Sequence, residues 1–351
     1  MKSELKQTIT NSVCLVTGGA GFIGSHLVDA LAKPQLNNTV VIVDNLSTGS
    51  FENIAHHFYQ CSEIDIAVAT TDYFEEIKKD NVVFIKGDIT NGSLLDSIFK
   101  KYGFVYVFHQ AAIPSVPRSV NDPVASNNAT VNGTVTVLVA CKNHNVKKVV
   151  YAASSSAYGD TKVLPKSEEM MPLPLSPYAA GKLAGEMYCK AFYEVYGLSY
   201  VCLRYFNVYG PRQDPNSEYS AVVPKFISRI LDNESPVIYG DGLQSRDFTF
   251  VSDVIKANIL AACSTAVGVF NVATCSRITI NDLASEIAMV LESKNSVVYE
   301  DARAGDILHS LADISKAAQA FHYTPSYDIK KGLKETIEWF KQNRSVQEKI
   351  C

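Results

Sequence analysis

The chain has 351 residues, of which 47% are hydrophobic and 19% charged, so it can bury a core and is not compositionally disordered. Its formal net charge of −4 provides no general attraction to nucleic acid, so a charged ligand must be bound locally. The polar segment 1–11 does not resemble a signal peptide, and no run reaches the roughly 18 apolar residues of a membrane helix. These features predict one large α/β domain, or two closely joined ones, without membrane or nucleic-acid partners.

The eight cysteines include no CxxC pair and no cluster with histidine at metal-ligand spacing. Most of them lie in apolar segments, where a reduced thiol behaves as a small hydrophobic side chain. We therefore expect a cytoplasmic protein with free thiols and no structural metal.

The first half of the chain alternates short β-branched runs with longer helical patterns. The runs predict strands over 13–17, 40–44, 82–86, 105–109, 149–153 and 200–204. Helices are predicted over 22–33, 51–61, 72–79, 93–101, 125–144 and 178–196. Near-continuous apolar strands joined by crossover helices predict an α/β fold with a doubly wound parallel Rossmann sheet.

The pattern changes beyond residue 210, where a polar loop over 211–218 precedes helices at 224–231, 279–294 and 329–342 and a short strand at 237–241. We assign 12–206 to the Rossmann domain, with a returning segment near 245–272. The segments 207–244 and 273–342 are assigned to a smaller C-terminal substrate-binding subdomain.

A glycine-rich turn separates the first predicted strand from the first helix. Gly18, Gly21 and Gly24 permit a tight turn and close approach of a pyrophosphate to the helix N-terminus. Asp44 ends the second strand, where a carboxylate accepts ribose hydroxyls and repels a 2′-phosphate, which favours NAD over NADP. Asp44 as an ordinary turn starter is the alternative, and 87–89 suits either an adenine contact or a turn.

Tyr178 and Lys182 lie one turn apart on a predicted helix and therefore share a face. An ammonium beside a phenol lowers the phenol pKa from about 10 towards neutrality, which makes a general base for a substrate hydroxyl. Ser154 ends a predicted strand, at the edge where such sheets bind ligands, and can bridge the phenol and the substrate. A solvated helix face and a serine-rich turn are the alternatives.

With TGGAGFIG at 17–24, Asp-Asn-Leu-Ser at 44–47 and RYFNVYG at 204–210, these motifs make the chain resemble the extended short-chain dehydrogenase/reductases. Within that family it resembles the NAD-dependent UDP-sugar 4-epimerases, over about 12–342. The resemblance implies NAD in the Rossmann domain and a UDP-sugar in the C-terminal subdomain. It also implies a homodimer formed by helices 125–144 and 178–196, which could equally pack on the chain's own sheet.

The resemblance assigns roles residue by residue. The cofactor contacts are Gly18, Gly21, Phe22, Ile23, Asp44, Asn45, Ser47, Asp88, Ile89, Gln110, Ala111, Tyr178, Lys182 and Tyr205; the substrate contacts are Ser154, Ser156, Asn207, Val222, Tyr239, Arg246, Arg303, Asp306 and Ser310; the catalytic residues are Ser154, Tyr178 and Lys182; no metal is implied. The two arginines suit a diphosphate, with surface ion pairing as the alternative.

The chain departs from the family pattern at three positions. The helix motif that often begins with asparagine begins here with Thr130, and a substrate-loop position that is often asparagine is Ala221. Ser310 stands where glucose-restricted epimerases have a bulky tyrosine, which leaves room for an N-acetyl group; a solvent-facing serine is the alternative. The resemblance thus implies reversible C4 epimerisation of UDP-GlcNAc and UDP-GalNAc, and also of UDP-glucose and UDP-galactose, through a 4-keto intermediate.

Two other functions remain open from the sequence. A UDP-glucuronate 4-epimerase or decarboxylase shares the first chemical step, but Ser155 and Ser156 stand where dehydratases and decarboxylases have an acid. A non-catalytic NAD-binding regulator shares the fold, but we expect such a protein to lose the Tyr178–Lys182 pair or the arginines.

Overall fold

The computed structural model describes residues 8–59, 67–70, 74–215, 221–302 and 307–350. The strands are β1 Val13–Thr17, β2 Thr39–Asp44, β3 Ala67–Thr70, β4 Glu75–Lys79, β5 Val82–Lys86, β6 Tyr106–His109, β7 Lys148–Ser154, β8 Tyr200–Tyr205, β9 Val208–Tyr209, β10 Val237–Tyr239, β11 Ser245–Arg246, β12 Thr249–Phe250, β13 Gly268–Val272, β14 Ile278–Thr279 and β15 Val298–Glu300. The helices are α1 Phe22–Leu31, α2 Gly92–Tyr102, α3 Val116–Asn121, α4 Pro123–Asn127, α5 Gly133–Asn143, α6 Pro177–Tyr196, α7 Val222–Leu231, α8 Val251–Cys263, α9 Ile280–Leu291, α10 Ser315–Phe321 and α11 Ile329–Ile350.

A central sheet with the strand order β13-β8-β7-β6-β1-β2-β5-β4-β3 forms the larger part of the molecule. The pairs from β13 to β5 are parallel, whereas β4 and β3 add an antiparallel edge. From β1 the chain passes to β2, continues to the edge strand β3 and returns through β4 to β5 beside β2. It then crosses to β6 on the other side of β1 and continues to β7 and β8. The predicted doubly wound parallel fold is confirmed.

The carboxyl ends of the parallel strands meet at one edge of this sheet. Thr17 at the end of β1 is in register with His109 at the end of β6, and Ser154 at the end of β7 is in register with Tyr205 at the end of β8. The order reverses between β1 and β6, and open α/β sheets bind ligands in the crevice outside such a switch point.

Both faces of the sheet are buried because helices cover them, and successive side chains of each strand alternate between the two faces. Val16 of β1 belongs to a core formed with α1 and α8, whereas its neighbour Leu15 faces α2, α5 and α6. Beyond β8, the short pairs β10–β15, β11–β14 and β12–β9 build a second region with α7, α9 and α11. Within the described part of the chain, the helices lack the length and apolar composition needed to cross a membrane.

Two predicted helices are wrong. The segment predicted as a helix over 72–79 contains β4, which pairs with β5. The periodicity of this charged segment does not distinguish a helix from a strand, and pairing with β5 determines its conformation. The segment predicted as a helix over 51–61 contains two 3₁₀ turns, Phe51–Asn53 and Ala55–His57, and its end lies outside the described residues. The predicted helix 125–144 is interrupted by a π-helical turn, Asn128–Asn132, between α4 and α5.

Candidate active site

The glycine-rich turn connects β1 to α1 at the switch point. Gly18 has a φ of +69°, and a Cβ atom there would lie 2.7 Å from the backbone nitrogen of Ala111, which follows β6. Gly21 is the N-cap of α1 and has no side chain that could accept a hydrogen bond from the helix. The backbone amides of the first turn, which begins with Phe22 and Ile23, therefore point to the crevice without a side-chain acceptor. An uncapped helix N-terminus next to a turn that requires glycine is a suitable binding site for a pyrophosphate.

Asp44 anchors this turn as well as ending β2. Its Oδ2 accepts a hydrogen bond from the Ala20 amide at 2.9 Å, and its Oδ1 accepts one from the Leu46 amide at 2.8 Å. Burial raises the pKa of Asp44, and these two bonds counteract that effect. Because a carboxylate accepts about four hydrogen bonds, Asp44 retains capacity for ribose hydroxyls.

The neighbouring loops meet beside Asp44. Asn45 donates from Nδ2 to Oδ2 of Asp88 at 2.9 Å, and its Oδ1 accepts from the Ser47 amide at 3.0 Å. Ile89 is buried next to Gly133, where a Cβ atom would lie 2.5 Å from its Cδ1. The structure thus brings together the residues assigned to the adenosine side.

On the other side of β1, Gln110 and Tyr205 form a polar cluster with a residue that the sequence analysis missed. Asn258 of α8 donates to the Tyr205 hydroxyl at 2.8 Å, and Gln110 donates from Nε2 to Oδ1 of Asn258 at 3.0 Å. Burial raises the pKa of Tyr205 to about 12, so its phenol stays protonated. A lone asparagine within a helical pattern carries no sequence signal, which explains why Asn258 was missed.

The serine run after β7 approaches the first turn of α6. Tyr178 is partly buried, and its phenol faces Ser154, an interaction that lowers the pKa of the phenol. The Ser154 Oγ also accepts hydrogen bonds from the Ser156 hydroxyl at 2.8 Å and the Ser156 amide at 3.2 Å. The structure therefore brings together the tyrosine and both serines at the carboxyl edge of the sheet.

Lys182 lies beneath Tyr178, with 3% of its surface exposed. Its Nζ donates to the Ala152 carbonyl at 2.7 Å and lies 6.0 Å from the centre of the Tyr178 ring. Burial lowers the pKa of Lys182 to about 8. It also lowers the pKa of His109 to about 3, with the positive charge of Lys182 as a second cause, so this histidine is neutral.

One expectation about this pair is not met in the protein alone. Burial raises the pKa of Tyr178 above its ordinary value, and the interaction with Ser154 offsets this only in part. The spacing of Tyr178 and Lys182 indicates the positive charge beside the phenol but not the loss of hydration around it. Ionisation of Tyr178 therefore needs positive charge in addition to the surrounding side chains.

Contacts on both sides of the Tyr178–Lys182 turn fix α6 in position. Ser176 caps α6 by accepting from the Ala179 amide, and Ser119 accepts from the Tyr178 amide at 3.1 Å. One turn after Lys182, Glu186 binds Arg204 of β8 through two contacts of 2.9 and 2.7 Å. Both side chains of this ion pair are buried, so α6 is locked to the sheet.

A pocket of about 270 Å³ opens next to the end of β8. Four residues assigned to substrate line it, with further apolar and aromatic walls: Asn207, Val222, Tyr239 and Arg246, together with Ala221, Phe226, Phe248 and others. The apolar and aromatic walls suit a planar nucleobase, and the guanidinium in the lining suits the phosphate attached to it.

Ser310 is buried and does not face solvent, which excludes the alternative considered for it. Its Oγ accepts from Nδ2 of Asn207 at 3.0 Å and from the Asp247 amide at 3.3 Å. The Asp247 carboxylate accepts hydrogen bonds from the backbone amides of Thr274 and Ala312 and so holds three segments together. The sequence motifs do not indicate this role. Arg303 and Asp306 lie outside the described residues.

Comparison with known proteins finds matches along most of the chain. A model for the NAD dependent epimerase/dehydratase family matches residues 14–273. The UDP-glucose 4-epimerase of Mycolicibacterium smegmatis is 36% identical over 329 residues, which are 93% of this chain and 98% of that protein.

Solved structures of other epimerases are similar to this chain over nearly its whole length. A UDP-N-acetylglucosamine 4-epimerase from Methanobrevibacter ruminantium, in complex with UDP-N-acetylmuramic acid, is 46% identical with a TM-score of 0.85, covering 95% of this chain and all of that one. A UDP-glucuronic acid 4-epimerase from Bacillus cereus, in complex with UDP-glucuronic acid and NAD, is 30% identical with a TM-score of 0.82, covering 94% and 99%. The glycine turn, the Tyr178–Lys182 helix and these similarities agree, and the chain belongs to the NAD dependent epimerase/dehydratase family, as predicted.

Proposed function

We propose that the protein catalyses the reversible C4 epimerisation of a UDP-hexose with NAD as its cofactor. The contact between Tyr178 and Ser154 above the buried Lys182 is the observation that carries the proposal. It lies at the carboxyl edge of the sheet, where β7 and β8 end beside the pocket. The 4-epimerases among the similar proteins support the same reaction.

The residues present fit NAD. The close approach at Gly18 and the uncapped first turn of α1 suit its pyrophosphate, and Asp44 suits the adenosine ribose. Gln110, Tyr205 and Lys182 would hold the nicotinamide side. When bound, NAD supplies a reversible hydride acceptor for carbon 4 of the sugar and a positive charge near the phenol.

Tyr178 acts as the general base that takes the proton of the sugar 4-hydroxyl, and Ser154 holds that hydroxyl against the phenol. Lys182 stabilises the phenolate and orients the ribose of the cofactor. Loss of this proton together with the hydride of carbon 4 gives the 4-keto sugar, which turns over while Asn207, Arg246 and the pocket walls hold the UDP portion. Tyr178 then returns the proton to the oxygen as the hydride returns to the opposite face of carbon 4, and the product differs from the substrate only in configuration at this carbon.

We propose UDP-N-acetylglucosamine and UDP-N-acetylgalactosamine as the preferred pair, with UDP-glucose and UDP-galactose also accepted. The small Ser310 beside Asn207 supports this choice, because a serine occupies less of the sugar site than a tyrosine. The similarity to a UDP-N-acetylglucosamine 4-epimerase points in the same direction. A UDP-glucuronate substrate remains the second candidate, supported by the similarity to the Bacillus cereus enzyme.

Purified protein should therefore be incubated separately with UDP-GlcNAc, UDP-glucose and UDP-glucuronate, with the products resolved by chromatography. We expect conversion of UDP-GlcNAc to UDP-GalNAc, slower conversion of UDP-glucose and no release of carbon dioxide from UDP-glucuronate. Y178F should abolish conversion but retain NAD binding. Near-normal turnover by Y178F, or NAD binding without conversion of any UDP-sugar, contradicts the proposal.

We also propose a homodimer built on α4, α5 and α6. Several apolar side chains on these helices are exposed, among them Val124, Val139, Met187, Tyr188 and Val195, at 77%, 43%, 49%, 41% and 69% of their surface. Such a face is suited to self-association about a twofold axis. Light scattering should give twice the chain mass for the wild type and the chain mass for M187K; a monomeric wild type contradicts this part of the proposal.

The cytoplasmic location remains a prediction, which cell fractionation tests.

A further inference from the structure

Three side chains with metal-binding atoms converge beside α1, away from the crevice described above. His56 Nε2 lies 2.9 Å from Oδ1 of Asp29, and His57 Nε2 lies 2.8 Å from the same oxygen. One ligand atom from each residue lies within 4.8 Å of the other two. We infer that Asp29, His56 and His57 form a binding site for a divalent transition-metal ion of the Zn²⁺ type.

The donor set suits such an ion. Two imidazole nitrogens and one carboxylate oxygen are typical ligands of Zn²⁺, which completes a tetrahedral site with a water molecule. Metal–ligand bonds of about 2.0–2.2 Å separate neighbouring ligand atoms by roughly 3.3 Å, so the present contacts need to open by about 0.5 Å. The His56 side chain is 48% exposed and the Asp29 side chain 31% exposed, which leaves room for this adjustment.

A fourth residue holds the carboxylate in position. Arg212 donates from a terminal nitrogen to Oδ2 of Asp29 at 2.7 Å, which leaves Oδ1 directed at both histidines. Ligating carboxylates are commonly fixed by such outer partners. The guanidinium also balances the carboxylate charge, which disfavours Mg²⁺ and Ca²⁺, since these require several anionic oxygens, and favours ions that bind imidazole.

The site joins two elements that flank the glycine turn. His56 and His57 belong to the 3₁₀ turn Ala55–His57, whereas Asp29 lies on α1. The segment just before that turn is bonded to the glycine turn itself, because the amide of Ser50 and the side chain of Asn53 both donate to the Ala20 carbonyl, at 3.0 and 2.9 Å. A bound ion would therefore fasten this segment to α1 and raise the thermal stability of the protein.

The experiment uses tag-free, full-length protein treated with a chelator and then titrated with Co²⁺, with Zn²⁺ as a competitor. We expect one ion per chain, the visible absorption of tetrahedral Co²⁺ and its loss on addition of Zn²⁺. H56A and H57A should each weaken binding by at least about tenfold. H144A is the matched control, because His144 lies 2.8 Å from the Asp96 carboxylate without a second histidine, and it should bind as the wild type does.

Two results would overturn the inference. The first is a wild-type protein that does not bind Co²⁺ or Zn²⁺ stoichiometrically, which means that the histidines are only hydrogen-bond donors to Asp29. The second is equal affinity in the wild type, H56A and H57A. Circular dichroism and melting in the presence of chelator establish that each variant is folded, and the titration does not depend on epimerase activity.

Discussion

Replacing Glu186 with glutamine tests the ion pair that locks the helix of Tyr178 and Lys182 to the sheet. Glu186 is 0% exposed and Arg204 is 3% exposed, and two contacts of 2.9 and 2.7 Å join them. The Arg204 guanidinium also lies 4.6 Å from the centre of the Tyr158 ring. E186Q keeps the shape of the side chain but leaves the guanidinium buried without a counter-charge.

Breaking a buried pair by removing one partner costs about 3–5 kcal/mol. The glutamine oxygen still accepts one hydrogen bond from Arg204, so we expect the lower end of that range, about 3 kcal/mol in the free energy of unfolding. E186L/R204M removes both charges and should lose less than E186Q alone, because no unpaired charge stays buried.

Equilibrium urea unfolding measures these differences. E234Q is the matched control, because Glu234 pairs with Arg229 at 3.3 Å while the two side chains are 57% and 44% exposed. Such a surface pair contributes about 0.5 kcal/mol or less. A loss below about 1 kcal/mol in E186Q, or a loss equal to that of E234Q, would refute the assignment of the Glu186–Arg204 pair as the anchor of α6.

Three further predictions concern the crevice. Burial lowers the pKa of Lys182 from 10.5 to about 8, so the unfolded state binds this proton more tightly than the folded state; the contribution of Lys182 to the free energy of unfolding should rise between pH 8 and 10.5 by up to about 3 kcal/mol, and the difference in urea stability between the wild type and K182M should change by that amount. G18A should weaken NAD binding by at least about tenfold because its Cβ would lie 2.7 Å from Ala111, whereas G103A, with a similar positive φ and open space, should bind NAD normally by calorimetry. S310Y should lower kcat/KM for UDP-GlcNAc relative to UDP-glucose by more than about tenfold, and S310A should leave the ratio unchanged.

The sequence predicts the site largely because parallel strands end at a common edge. Asp44, Ser154 and Tyr205 each end a strand, so their approach to the same crevice follows once the alternation of strands and helices is recognised. The glycine turn adds the position of α1, since Gly18 is required where the backbone of Ala111 comes close.

Other features depend on contacts between distant segments. The strand β4 forms where a helix was predicted, because Glu76 pairs with Ile85 of β5 and its carboxylate binds Lys101 at 2.7 Å. The role of Asn258 and the convergence of Asp29 with His56 are likewise set by packing. The raised pKa of Tyr178 follows from loss of hydration, which residue spacing does not reveal.

The proposed reaction requires that the hydrogen of carbon 4 leaves the sugar and returns to the same carbon within one closed site. The conversion of UDP-GlcNAc in D₂O, followed by mass spectrometry and proton NMR of the product, measures whether it does. We expect UDP-GalNAc that retains protium at carbon 4 and gains no carbon-bound deuterium. Deuterium at carbon 4, or at a neighbouring carbon, would contradict the proposed reaction.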